Sequence, residues 1–128
     1  MRLTILKIFF LLLFLWLIVM ILPPRIEKIE HKIEKSFVAV ITAYTPSTNE
    51  TDDTPFINAA NKRVAKGDIA NNCLPFGTRV RIDGNIFTVR DRLNARYGCL
   101  HFDILTFDKT KALEWGRQKK VVEVLAKI

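Results

Sequence analysis

Asp91, in "FTVRDRLNA", and Asp103, in "RYGCLHFDIL", lie twelve residues apart on segments that both read as strands of a basic domain. Side chains alternate along a strand, so Phe102 and Ile104 point one way, to a core, and His101, Asp103 and Leu105 point the other. A carboxyl set among apolar neighbours loses hydration, which raises its pKa, and a general acid working at neutral pH needs that rise. Asp91 nearby would raise it further by like-charge repulsion. It would also stabilise positive charge developing in a sugar ring, the division of labour between two carboxyls in glycoside cleavage. A plainer reading of the same residues pairs Asp91 with Arg90, Arg92 or Arg96 and lets Asp103 cap a turn.

The elements around these acids are short. "SFVAVITAYTP" (36–46) is β-branched and aromatic and reads as a strand. Residues 47–67 read as a long polar loop in which Asp52 and Asp53 are solvated charges and Asn49-Glu50-Thr51 fits a glycosylation sequon. "DIANN" is a short strand. "TRVRIDGNIFTV" alternates apolar and polar residues about an Asp83-Gly84 turn and reads as a hairpin. Residues 99–107 and 119–127 complete the strands, and "DKTKALEWG" (108–116), with Asp at its start and Gly at its end, reads as a helix. Six short strands and one small helix predict a mainly β fold, a compact barrel. Gly77, Gly84 and Gly116 read as turn and cap positions. Trp115 and Phe107 are assigned to the core, and Tyr97, in a polar loop, is the candidate exposed aromatic.

Ahead of this domain, residues 8–22 form an unbroken apolar run, and counting back to Leu3 gives about 20 residues, enough to cross a bilayer core. Arg2 and Lys7 precede most of it, which keeps the N-terminus in the cytoplasm and places the rest outside. The run ends at Pro23-Pro24 without the small residues of a signal cleavage site, so residues 1–24 are read as a retained transmembrane anchor. Ile26, Ile29 and Ile33 recur at helical spacing among Glu and Lys, which predicts a charged helical stalk over 25–35, with His31 solvated.

The chain carries net charge +7. Residues 36–128 hold 14 Lys and Arg against 10 Asp and Glu, a mild excess suited to an anionic polymer or a membrane surface. The basic residues are scattered and form no recognition motif, which argues against nucleic acid. Outside the cytoplasm Cys73 and Cys99 are free to form a disulfide; two buried thiols are the alternative. Two cysteines and two distant histidines make no metal-ligand set of usual spacing, and no cofactor motif is present.

"TAYT" (42–45), "GDIA" (67–70), "LPFGTRVRIDG" (74–84), "VRDR" (89–92), "HFDI" (101–104) and "ALEWGR" (112–117) follow one another in the order of the three-aspartate (3D) domain. The chain resembles that family over roughly 42–126. The domain occurs in membrane-bound lytic murein transglycosylase A and in related bacterial cell-wall proteins. The resemblance implies a six-stranded double-psi β-barrel, as in rare-lipoprotein-A-like proteins and expansins, and cleavage of the peptidoglycan glycan strand without water. Asp103 would protonate the glycosidic oxygen and then act as base on the C6 hydroxyl of the muramic sugar, giving a 1,6-anhydro end. Asp91 would be the supporting carboxylate, and Thr42 and Tyr44 would contact glycan from the groove wall, with Asn71, Asn72 and Tyr97 as further substrate contacts.

The sequence departs from the family pattern in two segments. In "IANNCLP", Asn71 and Asn72 stand where the family's first Asp is expected. The usual Gly-rich loop between the later acids is "RLNARYG". Cys73 and Cys99 flank these segments, and a disulfide between them would brace the altered site. The missing acid motivates an alternative, a non-catalytic glycan-binding or wall-loosening barrel of the expansin kind. A membrane-tethered scaffold for a protein partner is a third reading.

Overall fold

The computed structural model describes residues 1–24, 29–47 and 56–127, and the chain divides into two compact units, Met1–Glu30 and His31–Ile128. Asp52, Asp53, the 49–51 sequon and the start of the stalk at 25–28 lie outside the described residues. In the first unit, helix α1 (Arg2–Ile21) runs for 20 residues, about 30 Å at 1.5 Å per residue. It buries none of its residues. It has the length and apolarity of a membrane anchor or of a signal sequence. Leu22 closes it in an extended conformation (φ −65°, ψ 121°), because the residue before a proline is pushed out of the helical region.

The second unit is a closed barrel of six strands. They are β1 (Ile33–Tyr44), β2 (Asp68–Ala70), β3 (Arg79–Ile82), β4 (Asn85–Asp91), β5 (His101–Leu105) and β6 (Gln118–Leu125), with α2 (Lys109–Trp115) between the last two. Around the barrel the order is β1-β5-β2-β4-β3-β6. The β1·β5 and β2·β4 pairs are parallel and the other pairs antiparallel. Each strand sends one residue with 0% exposure to the centre: Ile41, Ile69, Val80, Val89, Phe102 and Val122. Alternation of side chains produces most of this core, while in the short β2 all three residues are buried.

The hairpin forms as its residues dictate. Asp83 (φ 48°) and Gly84 (φ 78°) both take positive φ, which a two-residue turn joining twisted strands requires. Asp108 caps α2 by accepting from the Thr110 and Lys111 amides at 3.0 and 3.2 Å. Trp115 packs against the core and donates its indole N–H to the Ile41 carbonyl at 3.3 Å, fastening α2 to β1.

Two expectations are corrected. The helical stalk does not extend to residue 35: Ile29–Lys32 are not helical, and Ile33–Lys35 belong to β1, where Ile33 and Lys35 pair with Leu125 and Val124. The far end of β6 needs a hydrogen-bonding partner, and that demand overrides the helical spacing of the isoleucines. Phe107 is 58% exposed and not part of the core, because it lies past the end of β5, beyond the barrel wall.

Cys73 and Cys99 are bonded, with Cα atoms 5.2 Å apart and a separation of 26 positions in sequence. The bridge ties the chain leaving β2 to the chain entering β5. Closing a loop of this length removes about 3.5 kcal/mol of unfolded-state entropy. Reduction under native conditions is therefore expected to lower the midpoint of thermal unfolding by on the order of 15 °C, read by circular dichroism with and without reductant.

Candidate active site

The barrel register sets the two acids on either side of one small residue. Ala70 of β2 is opposite Asp103 of β5 on one flank and Asp91 of β4 on the other. Strands two apart put their backbones about 10 Å from each other. The β2·β4 register skips Arg90, passing from Ile69↔Val89 to Ala70↔Asp91. Such a bulge redirects the side chains around it, and bulges concentrate beside active sites.

β1 supplies a hydroxyl to each acid. Thr42 and Tyr44, two apart, share a strand face. Thr42 Oγ1 donates to Asp103 Oδ1 at 2.9 Å and lies 3.1 Å from His101 Nε2. With the hydroxyl proton given to Asp103, the imidazole Nε2 must carry the hydrogen of the second bond. His101 is 7% exposed, and burial together with the nearby Arg117 charge lowers its pKa, which favours the neutral ring. The Tyr97 ring packs against it, tilted by 48°, with 4.4 Å between centroids.

Tyr44 OH donates to Asp91 Oδ2 at 2.7 Å. Burial and then the Asp91 hydrogen bond and charge push the Tyr44 pKa far up, so the phenol remains a donor. Asp91 Oδ1 accepts the backbone amides of Ala59 and Arg92 at 3.0 and 2.9 Å. The arginine pairings open to Asp91 in the sequence are taken elsewhere. Arg90 goes to Asp68, Arg92 to the carbonyls of Asn71 and Leu74, and Arg96 to Tyr97 OH. Asp103 sits mid-strand, within β5.

Thr42, Tyr44, Leu93, Tyr97, His101, Asp103 and Arg117, with Ala43, line a groove of about 290 Å³. Four of the residues expected from sequence thus come together: Asp103, Thr42, Tyr44 and Tyr97. Asp91 is not on the groove wall; it stands one hydrogen bond behind it, through Tyr44.

Asn71 and Asn72 do not line the groove, contrary to the expectation of substrate contacts. Asn71 is fully buried. Its amide nitrogen donates to the carbonyls of Cys99 and His101 (2.9 and 3.0 Å), and its oxygen accepts from the amides of Cys73 and Leu74 (3.0 and 2.8 Å). Asn72 donates to the carbonyls of Asn94 and Tyr97 and accepts from the Leu93 amide. Both side chains spend their polar atoms clamping the loops that carry the site. Asn71 in particular fixes the entry to β5, through carbonyls four and two residues ahead of Asp103.

His101 and Arg117 in the groove, and the buried Asp68, were not singled out as site residues in the sequence. His101 was legible, being two residues from Asp103 on one strand face. Arg117 reaches the site only because α2 folds back on β1. Asp68 is wholly buried, accepting from Arg90 Nη1 at 2.7 Å, Asn58 Nδ2 at 3.1 Å and the Ala65 amide at 3.1 Å. Removing the cation would leave a buried charge without its counter-ion. Arg90→Ala is expected to destabilise the fold by about 3 kcal/mol, as measured by urea unfolding. Neither a protein-family model nor a curated protein matches the chain.

Proposed function

We propose that this protein is a three-aspartate-domain enzyme that cleaves the glycan strand of peptidoglycan, a lytic transglycosylase in its chemistry, with Asp103 as acid and then base. The observation that carries the reading is the placement of Asp103 in an open groove, held by the Thr42 hydroxyl, with the Tyr44–Asp91 pair beside it. In the reaction Asp103 gives its proton to the glycosidic oxygen as the bond to C1 breaks. The resulting carboxylate takes the proton of the C6 hydroxyl as that oxygen closes on C1. The proton returns to Asp103, water is neither added nor released, and the product is a 1,6-anhydro sugar. Asp91, with Tyr44 between it and the groove, contributes negative charge toward the oxocarbenium-like centre.

The six-stranded mixed barrel, with its two parallel pairs β1·β5 and β2·β4, supports the finer assignment to the double-psi type. The Cys73–Cys99 bridge and the apolar α1 support a barrel held on the extracytoplasmic side by a retained anchor. The absence of an acid at Asn71 weighs little against catalysis, because that side chain must donate two hydrogen bonds and a carboxylate has none to give.

The test is the full chain in detergent micelles mixed with purified peptidoglycan. Wild type should release soluble glycan, and Asp103→Asn should pellet with the wall and release none. If both proteins pellet and neither releases glycan, the barrel is a wall-binding module and the catalytic reading fails.

A further inference from the structure

The stretch 92–100, between β4 and β5, forms one wall of the groove through Leu93 and Tyr97. It contains no helix or strand, and none of its residues is buried. Burial therefore contributes little to holding it. It is seated instead on one short segment, residues 71–74. The Arg92 guanidinium donates to the Asn71 and Leu74 carbonyls. The Asn72 side chain accepts from the Leu93 amide and donates to the Asn94 and Tyr97 carbonyls. The buried Asn71 side chain donates to the Cys99 carbonyl, and Cys73 is bonded to Cys99. The seat itself is firm, since Asn71 and Leu74 are buried. Both cysteines are solvent-exposed, and access to the sulfurs is a condition of thiol–disulfide exchange.

We propose that the Cys73–Cys99 bridge is a redox latch on the groove: a dithiol reductant opens it and frees the wall carrying Leu93 and Tyr97, while the barrel stays folded. One thiolate of the reductant attacks a cysteine sulfur, forming a mixed disulfide and releasing the other cysteine. The second thiol of the reductant then displaces the first cysteine. The reductant leaves as a disulfide, and its two electrons and two protons end on Cys73 and Cys99 as thiols. The wall then keeps only hydrogen bonds at the surface, and such segments open locally, well short of global unfolding. Neither cysteine belongs to the barrel core. Tyr97 packs against His101, and His101 shares the Thr42 hydroxyl with Asp103, so a freed wall disturbs the site from one side. The effect on cleavage rests on the glycan reading above; the opening of the wall does not.

The test uses the full chain in detergent micelles at room temperature, with and without dithiothreitol as the dithiol. Alkylation and mass spectrometry read the state of the bridge, and amide hydrogen exchange reads the wall and the barrel separately. Dithiothreitol should open the bridge in the folded chain. Exchange across 93–100 should then rise about tenfold or more, with the amides of β3 and β6 unchanged. Release of soluble glycan from peptidoglycan should fall about 10²-fold, the loss that a small misplacement in a site produces, and should return on reoxidation. The double variant Cys73→Ser, Cys99→Ser should match reduced wild type and should not respond to dithiothreitol.

A bridge that stays closed in dithiothreitol overturns the inference. So does exchange across 93–100 that is unchanged once the bridge is open. Loss of protection in every strand also overturns it, because the bridge would then be a staple of the whole barrel. Equal cleavage by the open and closed chains removes the control of the groove. The catalytic reading fails separately: a closed chain that releases no glycan removes the enzyme, and local exchange still decides the latch.

Discussion

Asn71→Asp, which would supply an acid where the three-aspartate pattern expects one, should destabilise the barrel by about 3 kcal/mol or more. Asn71 has no exposed surface, and its amide nitrogen donates to two carbonyls, those of Cys99 and His101. A carboxylate offers neither hydrogen. Each carbonyl left without a donor costs about 1–3 kcal/mol, and the new negative charge would face both oxygens, with the Arg92 guanidinium, already held by the Asn71 and Leu74 carbonyls, as the nearest cation. The two bonds accepted from Cys73 and Leu74 would survive, since a carboxylate accepts well. Asn72→Asp, at a half-buried position, should cost less. Urea unfolding of the full chain in detergent compares the three proteins. An Asn71→Asp protein as stable as wild type would mean that the clamp does not hold β5, and would reopen position 71 as a degenerate catalytic site.

Asp103→Asn should slow glycan cleavage by about 10²–10⁴-fold, the usual contribution of a general acid. Stability should change little. The Asn side-chain oxygen can still accept the Thr42 hydroxyl, and Asp103 lies on the groove and not in the core. Thr42→Val gives an intermediate case. It keeps the shape of the side chain but removes both the donor to Asp103 and the link to His101, so a smaller loss, about tenfold, is expected with the fold intact. Should Asp103→Asn cleave at the wild-type rate, the carboxyl is not the acid, whatever the groove binds.

Local patterns in the sequence account for much of the barrel. Alternation identified the strands, Asp83-Gly84 the hairpin, and Asp108 and Gly116 the ends of α2. The same alternation placed Phe102 inward and Asp103 outward. What local pattern could not supply is the pairing of distant segments. The order β1-β5-β2-β4-β3-β6 joins strands far apart in the chain, and no spacing rule announces it. Ile33–Lys35 looked helical because isoleucines at three- and four-residue spacing suit a helix; the exposed end of β6 recruited them as strand. Asp68 and Arg90 are 22 residues apart and meet only because β2 lies against β4. Asn71 and Asn72 were read by the family position they occupy and not by their hydrogen-bonding capacity, which is where their function lies. Arg117 closes the "ALEWGR" motif, but its place in the groove depends on α2 packing over β1 through Trp115.

The decisive measurement is the mass of the soluble fragments that the full chain releases from purified peptidoglycan, with Asp103→Asn alongside. Catalysis by Asp103 through the C6 hydroxyl yields 1,6-anhydro muramyl ends from wild type and none from the variant. Fragments one water heavier would mean a hydrolase and contradict the water-free step, and anhydro ends released equally by the variant would contradict the role of Asp103.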